Sequence, residues 1–259
     1  QTADGGYIAV GTRMEAMGNN MGFVAKIDIS GQKQWEEWYD LSDGEFFKTI
    51  IVGNDGGYLI AGGAASLSIF SSGIWGTKLT KIDDTGNIEW EKEFSQDGGG
   101  FQEYGTAKDI KATENGYVLV GYSAVGDFAP EPLAYIMTIN NAGEQIMMQN
   151  ISEYMSSLFH SVEVLENGTF LAVGEFDNIE AGTAFPVGGL VVNFDSNGNV
   201  IWQTEAAPNG ISRYSYFQDV VVVNNQAIAA GYYEDANDNV KSYLAKFDLS
   251  NGELIEENF

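Results

Sequence analysis

The sequence predicts an all-β fold, a β-propeller of four-stranded blades that recur along the chain. Three observations predict it: a Gly- or Asn-rich turn before an alternating strand, a regularly spaced Asp/Asn-turn-Gly motif, and an aromatic residue after most of these motifs. Four-stranded units of about fifty residues in series are typical of a propeller. We therefore predict a single domain over residues 1–259, with repeats at about 1–40, 41–96, 97–152, 153–207 and 208–259.

The second strand of each unit is an alternating segment that ends in glycine. Its five copies are Tyr7–Gly11, Tyr58–Gly62, Tyr117–Gly121, Phe170–Gly174 and Ala227–Gly231. Each copy follows a turn such as Asp55-Gly56-Gly57 or Glu114-Asn115-Gly116. Gly and Asn tolerate the positive φ angles that tight hairpins need, so these turns predict hairpins between the first and second strands.

The third strand of each unit ends at an Asp or Asn that is followed by a glycine. These motifs are Asp28…Gly31, Asp83…Gly86, Asn140…Gly143, Asp195…Gly198 and Asp248…Gly252. Four positions after the glycines stand Trp35, Trp90, Met147, Trp202 and Glu256. The side-chain oxygen can hold the N–H groups of the turn. We expect the tryptophans and Met147 to be largely buried between neighbouring units.

The first strand recurs four times, as Phe47–Ile50, Ala107–Ile110, Phe159–Val162 and Phe217–Val220. The first unit has no such copy before Asp4-Gly5-Gly6, so we expect its innermost strand to be missing. The chain is accordingly expected to be a segment of a longer precursor, whose propeller is larger or is closed by a strand from elsewhere.

The charge and the composition exclude several classes of partner. The chain has 37 acidic and 12 basic residues, and its formal net charge is -25. A surface with this charge repels nucleic acid and anionic lipid. The chain has no cysteine, which excludes disulfides and thiolate metal sites. The apolar runs are too short for a membrane-spanning helix, so membrane insertion is not expected.

The repeat motifs carry a family resemblance. The segment from Asp4-Gly5-Gly6-Tyr7 to Gly11, with Ala25–Asp28 and Ala245–Asp248, resembles the repeats of secreted bacterial β-propellers. The resemblance implies an exported protein of the Bacteroidota, often with a type IX secretion sorting domain. It places the protein outside the cell or on the cell surface, with the periplasm as the alternative.

A second, more distant resemblance concerns one turn. The segment from Asp195-Ser196-Asn197-Gly198 to Trp202 is similar to the repeats of quinoprotein propellers. Those enzymes need a dedicated cofactor site that often includes vicinal cysteines, which this chain lacks. The similarity therefore implies a shared way of packing neighbouring repeats together through the turn and the tryptophan, and no quinone cofactor.

Aromatic residues and both arginines fall in segments expected to be long loops on one face of the propeller. The predicted binding residues there are Arg13, Trp75, Phe101, Tyr104, Arg213, Tyr214, Tyr216 and Tyr233. Exposed aromatic and Arg side chains suit sugar stacking or a protein hot spot. Long loops also bury their own aromatic residues, so each single residue has a purely structural interpretation as well.

One repeat position of the innermost strand carries polar side chains that are candidates to line the central channel. These residues are Lys48, Lys108, His160 and Gln218. A solvated, hydrogen-bonded channel explains them without any further function. His160 is the only histidine, and no nucleophile motif accompanies it, so a Ser–His–acid triad is not indicated.

An acidic segment imitates the first half of a calcium-binding loop through Asp235, Asn237 and Asn239. Val240 stands where the motif needs glycine, and Lys246 stands where it needs a bidentate glutamate. A solvated acidic loop is the favoured interpretation, and a weak calcium site is the alternative. No other cofactor is expected.

These observations predict a non-catalytic binding or scaffold module rather than an enzyme. Its partner would be a protein or a glycan on the long-loop face, within a larger surface assembly. The alternative is a carbohydrate-active enzyme, either a glycoside hydrolase or a polysaccharide lyase, which would use two inward-facing carboxylates.

Overall fold

A computed structural model describes residues 1–14, 20–41, 46–66, 74–94, 103–125, 131–154, 156–177, 188–208 and 211–258. Within these ranges the regular structure consists of nineteen β-strands in five antiparallel sheets. No helix of the described part is long and apolar enough to cross a membrane.

Each sheet is made of consecutive strands. The first holds β1 (Tyr7–Met14), β2 (Asn20–Ile27) and β3 (Lys33–Leu41). The second holds β4 (Phe46–Val52), β5 (Tyr58–Ser66), β6 (Ile74–Ile82) and β7 (Ile88–Phe94). The third holds β8 (Glu103–Thr113), β9 (Gly116–Val125), β10 (Glu131–Asn140) and β11 (Gln145–Asn150). The fourth holds β12 (Ser156–Val164), β13 (Phe170–Asp177), β14 (Gly188–Phe194) and β15 (Val200–Ala206). The fifth holds β16 (Ile211–Val223), β17 (Gln226–Asp235), β18 (Val240–Asp248) and β19 (Leu254–Asn258).

The sheets are the blades of a β-propeller, which confirms the predicted fold class. Strand order within each blade follows the sequence, so β4, β8, β12 and β16 form the inner edges. These four strands contact one another in succession. Among the described residues the first blade has three strands and none equivalent to β4, as the repeat pattern predicts.

Apolar side chains between consecutive blades form the core. Phe159 and Phe194 of the fourth blade, for example, belong to one buried cluster with Val118 and Ile136 of the third. Comparable clusters join the other consecutive pairs of blades. Because the middle blades bury apolar residues on both faces, their strands contain runs such as Gly188–Phe194, in which every residue is buried.

The outer-strand tryptophans pack over the turn of the next blade. A Cβ atom on Gly143 would lie 2.6 Å from the Trp90 ring, and one on Gly198 would lie 2.6 Å from Met147 Sδ. Trp35 approaches Gly86 and Trp202 approaches Gly252 in the same way. The predicted contact between blades is present, but Trp35, Trp90, Met147 and Trp202 are only partly buried.

The connections on the predicted long-loop face are shorter than the sequence pattern indicates. The predicted second-strand motif Tyr58–Gly62 continues as β5 to Ser66, and β6 already begins at Ile74, so less of the intervening segment is loop than the sequence pattern indicates. β17 and β18 are joined by residues 236–239 alone. Ladder hydrogen bonds use backbone groups, so a strand can continue after its apolar alternation has ended.

Candidate functional site

Each inner strand of a four-stranded blade carries one extra residue at the same place. In β8, Ala107 pairs with Gly121 and Asp109 pairs with Val120, so the ladder skips Lys108. The equivalent irregularities in β4, β12 and β16 complete a set of bulged residues: Lys48, Lys108, His160 and Gln218. These are the four residues predicted as channel candidates. A bulge takes a side chain out of the strict alternation of a strand and re-aims it.

The glycine that ends each second-strand motif makes room for the bulge. A Cβ atom on Gly174 would collide with the backbone oxygen of Leu158, two residues before His160. The same collision would occur at Gly62 with Phe46, at Gly121 with Thr106 and at Gly231 with Tyr216. The repeated glycine is therefore explained by a close backbone approach.

In two blades the residue after this glycine lies beside the bulged side chain. Lys108 Nζ lies 5.3 Å from the centroid of the Tyr122 ring. His160 Nε2 lies 3.8 Å from Glu175 Oε2, which is longer than a hydrogen bond. The bulged residue of the inner strand and the facing residue of the second strand together define a polar group.

His160 has the most unusual environment of this group. Its side chain is 14% exposed, and its Nε2 atom is buried without a hydrogen-bond partner among the described residues. Nearly all buried polar atoms in proteins are paired, so an unpaired one calls for an explanation such as catalysis or a ligand. A neutral imidazole nitrogen in this state is available as a nucleophile or a base.

Three partly buried tyrosines, Tyr214, Tyr216 and Tyr232, form a tyrosine cluster beside His160. The Tyr216 ring lies 5.4 Å from the imidazole, at 30° to it. Tyr216 and Tyr232 have centroids 3.9 Å apart, and Tyr214 and Tyr216 are stacked at 6.4 Å. Burial, and to a smaller extent Tyr214 and Glu175, raise the pKa of Tyr232, so its phenol stays protonated at neutral pH.

Positively charged lysines and the negatively charged Glu175 lie within electrostatic range of one another near His160. Burial lowers the pKa of Lys108, and the nearby Lys48 lowers it further, while Glu175 acts in the opposite direction. Glu175 thus influences Lys108 and lies next to His160 at the same time. We call Lys48, Lys108, His160, Glu175 and the tyrosine cluster the His160 site.

The residues that follow the bulges belong to a separate hydrogen-bond chain. Ser161 Oγ lies 2.8 Å from Asp219 Oδ1 and 3.2 Å from Asp109 Oδ2. The backbone N–H of Val162 also donates to Asp109 Oδ2, at 3.1 Å. The chain connects β8, β12 and β16, so its role is to hold three inner strands together.

Two of the predicted binding residues, Tyr214 and Tyr216, lie in the His160 site. Arg13 instead lies on the first blade, with Cζ 5.0 Å from the centroid of the Trp38 ring, and Tyr233 packs against buried Tyr243. Trp75, Tyr104 and Arg213 belong to strands, not to loops as predicted, and their side chains lie outside the described part. Phe101 lies outside the described residues altogether.

The predicted calcium residues form a tight turn between β17 and β18. Asp235 Oδ1 accepts hydrogen bonds from the backbone N–H of Asn237 at 2.9 Å and of Asn239 at 3.0 Å. Asp238, with φ 62°, stands where the other turns have glycine. The Asp-x-Asn-x-Asn pattern thus has a structural explanation. Among the described residues, no group of three or more His, Cys, Asp or Glu side chains could hold a metal ion.

Sequence reasoning missed Glu175 as a member of the His160 site and Tyr122 as the ring beneath Lys108. Both directly follow the repeated glycine, as Gly174-Glu175 and Gly121-Tyr122. That position could have been compared across the repeats, in the same way as the bulged position.

Comparisons with solved structures agree with the propeller class. A mutant of the Synechocystis apocarotenoid oxygenase is 12% identical with a TM-score of 0.54, over 96% of this chain and 57% of that one. A chimera of that oxygenase with RPE65 is 11% identical with a TM-score of 0.54, over 97% and 57%. A mutant puromycin hydrolase is 11% identical with a TM-score of 0.52, over 99% and 36%. The chain thus spans little more than half of the oxygenase, and these likenesses concern the fold alone.

The sequence profile of the arylsulfotransferase (ASST) family matches residues 70–208, which is more than half of the chain. The protein belongs to this family. No curated protein sequence matches it significantly.

The family membership corrects two predictions. The predicted non-catalytic binding module is wrong, because the family is one of enzymes. The alternative, a glycoside hydrolase or polysaccharide lyase, is wrong as well, because the family is named for sulfuryl transfer to or from aryl compounds. The error arose because no catalytic motif could be recognised in the linear sequence.

Proposed function

We propose that the protein transfers a sulfuryl group from an aryl sulfate ester to a second hydroxyl compound, and that His160 carries the group between them. The observation that carries the proposal is that Nε2 of the only histidine is buried and has no hydrogen-bond partner in the described part of the chain. Membership of the arylsulfotransferase family supports the reaction class.

The proposed reaction has two displacements at sulfur. In the first, His160 Nε2 attacks the sulfur, an N–S bond forms, and the S–O bond to the aryl group breaks. In the second, the acceptor hydroxyl oxygen attacks the same sulfur, the N–S bond breaks, and the acceptor proton is released. Splitting one difficult transfer into two easier ones is the usual benefit of a covalent intermediate.

The surroundings of His160 suit both parts of such a donor. The tyrosine cluster offers stacked and edge-on ring faces, which aromatic groups prefer as contacts. Lys48 and Lys108 supply positive charge for the sulfuryl oxygens, which an otherwise strongly acidic protein needs in order to hold an anion.

The direct test is turnover of 4-nitrophenyl sulfate with phenol as the acceptor, followed by the release of 4-nitrophenolate and by the appearance of phenyl sulfate. His160→Gln should lower the rate at least about 10³-fold, as expected when a nucleophile is removed. Gln218→Ala, which changes the same bulge position in the next blade, is the matched control and should stay within about 3-fold of the wild type.

Two results would contradict the proposal. One is a folded wild-type protein that turns over no aryl sulfate with any phenolic acceptor. The other is a His160→Gln protein that stays as active as the wild type. Mass spectrometry of a protein quenched during turnover should locate the sulfuryl group on the peptide that contains His160.

We further propose that the protein works outside the cytoplasm, either secreted or at the cell surface, with the periplasm as the alternative. The support is the resemblance of its repeats to those of secreted Bacteroidota propellers, together with the large excess of acidic residues. A protein or glycan partner stays a prediction. Fractionation of cells that express the full-length protein, with detection by antibody, tests the location, and a purely cytoplasmic signal would contradict it.

A further inference from the structure

We propose that Lys108 is the proton donor and acceptor of the transfer at His160. Its ammonium group protonates the departing aryl oxygen, and its amine then takes the proton of the incoming hydroxyl. This inference rests on the proposed function, and it assigns a second catalytic residue to the same site.

The geometry places Lys108 and His160 at equivalent points of neighbouring strands. Both are the bulged residues of their blades, and β8 and β12 contact each other. Glu175 links them, since it lies 3.8 Å from His160 Nε2 and acts electrostatically on Lys108. The two side chains therefore leave neighbouring inner strands at the same repeat position, with Glu175 beside one and acting on the other.

Lys108 also differs from the lysines that hold the fold together. Lys26 pairs with Asp4 at 2.8 Å, and Lys81 pairs with Glu89 at 2.8 Å. Among the described residues no carboxylate lies within ion-pair distance of Lys108 Nζ, which instead lies over the Tyr122 ring. Lys108 is half-buried, and since no described carboxylate pairs with it, its proton is not held by an ion pair of the kind that fixes Lys26 and Lys81.

The electrostatic surroundings favour exchange of this proton. Among the described residues, Lys48 and Glu175 act electrostatically on Lys108, and Tyr122 lies beneath its Nζ atom. Burial is the main cause that lowers the pKa of Lys108, and Lys48 adds to it, while Glu175 opposes both. An ammonium group of lowered pKa is a better acid than an ordinary lysine, and a general acid–base residue works best when its pKa approaches the working pH.

The proton balance closes over the two steps. In the first step the N–S bond forms at His160, the aryl S–O bond breaks, and the Lys108 proton moves to the aryl oxygen, which leaves as a neutral phenol. In the second step the acceptor oxygen attacks sulfur, its proton moves to the Lys108 amine, and His160 leaves as a neutral imidazole. After the second step Lys108 is again protonated and His160 is again unmodified, so the enzyme has returned to its starting state.

The test is a series of aryl sulfates whose phenols range from acidic, as in 4-nitrophenol, to weakly acidic, as in phenol and 4-methoxyphenol. Protonation of the departing oxygen should raise the transfer rate only slightly when the phenol is acidic, and strongly when the phenol is weakly acidic and leaves poorly. Lys108→Arg keeps the positive charge but cannot give up its proton at working pH. It should keep the 4-nitrophenyl sulfate rate within about 10-fold and lose about 10²-fold or more with 4-methoxyphenyl sulfate.

Two measurements separate a proton-transfer role from a structural one. Lys108→Arg should remove the alkaline limb of the pH–rate profile for poor leaving groups, and Lys108→Met should remove it as well. Both variants should melt close to the wild type. The assignment would be overturned if the Lys108 variants lost the same fraction of the transfer rate with every leaving group. It would also be overturned if Lys108→Arg kept the full wild-type rate with every donor.

The outcomes for Lys108 and for His160 remain distinguishable. A His160→Gln protein without activity, together with Lys108 variants that show no leaving-group dependence, would overturn the role of Lys108 and leave the proposed function standing. A wild type inactive on the whole donor series would overturn both.

Discussion

Two positions of the repeat behave in opposite ways. The turn between the third and fourth strands is nearly the same in every blade, and it places Trp35, Trp90, Met147 or Trp202 over the glycine of the next blade. The bulge of the inner strand has the same backbone each time but carries Lys, Lys, His or Gln. The outer position thus serves assembly in the first four blades, whereas the inner position presents side chains whose chemistry differs.

The difference has a local cause. At the outer turns a large side chain fills a gap between blades, so its size and shape are constrained. At the inner bulges the constraint falls on the backbone and on the opposite glycine, and the bulged side chain itself is free to vary. A repeat protein can in this way keep its scaffold uniform and build an asymmetric site.

The largest effect is expected from Gly174→Ala, because its Cβ would collide with the Leu158 backbone oxygen and destroy the bulge that presents His160. The free energy of unfolding should fall by at least about 3 kcal/mol, and transfer activity should be lost with it. Chemical denaturation followed by tryptophan fluorescence measures the change.

Gly168→Ala is the control for that substitution. Nothing lies within 4 Å of its Cβ position, and the cost is the strain of φ +80° alone, about 1 kcal/mol. If Gly174→Ala were no more costly than Gly168→Ala, the close backbone approach would not constrain this position.

Trp90→Ala should have the next largest effect, because it empties the contact with Gly143 at the junction of the second and third blades. Since Trp90 is partly buried, we expect a loss of about 2–3 kcal/mol, below the range for a fully buried tryptophan. Ile88→Ala on the same strand removes a side chain that is 48% exposed and should change stability by less than about 0.5 kcal/mol. Equal effects of the two substitutions would refute the docking role.

A smaller, pH-dependent effect is expected from Asp83→Ala. Hydrogen bonds from the side chain and the backbone N–H of Asn87, and from Thr85, hold the pKa of Asp83 below its usual value of 3.8. A lowered pKa stabilises the fold above the unfolded value, and this contribution is lost as the pH falls below it. The variant should therefore melt below the wild type at about pH 7, and the gap should narrow progressively as the pH falls below 3.8. A gap that stays constant with pH would show that the charge of Asp83 is irrelevant.

The scaffold could be predicted from sequence because its signals are local. Turn residues such as Gly86 and Asp83 define strand ends by themselves, and comparison of the repeats brought Lys108 and His160 to one position. The partners of these residues could not be predicted, because the contact between His160 and Glu175 depends on a bulge that shifts the register. Arg13 and Tyr233 were predicted as loop residues for binding, yet they extend strands and pack against Trp38 and Tyr243.

The most direct test of the whole account measures activity and melting temperature together for two variants of the fourth blade, His160→Gln and Trp202→Ala. His160→Gln should melt within about 2 °C of the wild type, since no described residue forms a hydrogen bond with His160 Nε2, and it should lose sulfuryl transfer. Trp202→Ala, which loses its packing on Gly252 and its hydrogen bond to the Leu249 backbone oxygen, should melt several degrees lower and keep its activity per folded molecule. The reverse pattern, a destabilised but active His160→Gln beside a stable but inactive Trp202→Ala, would contradict the division between assembly at the outer turns and chemistry at the inner bulges.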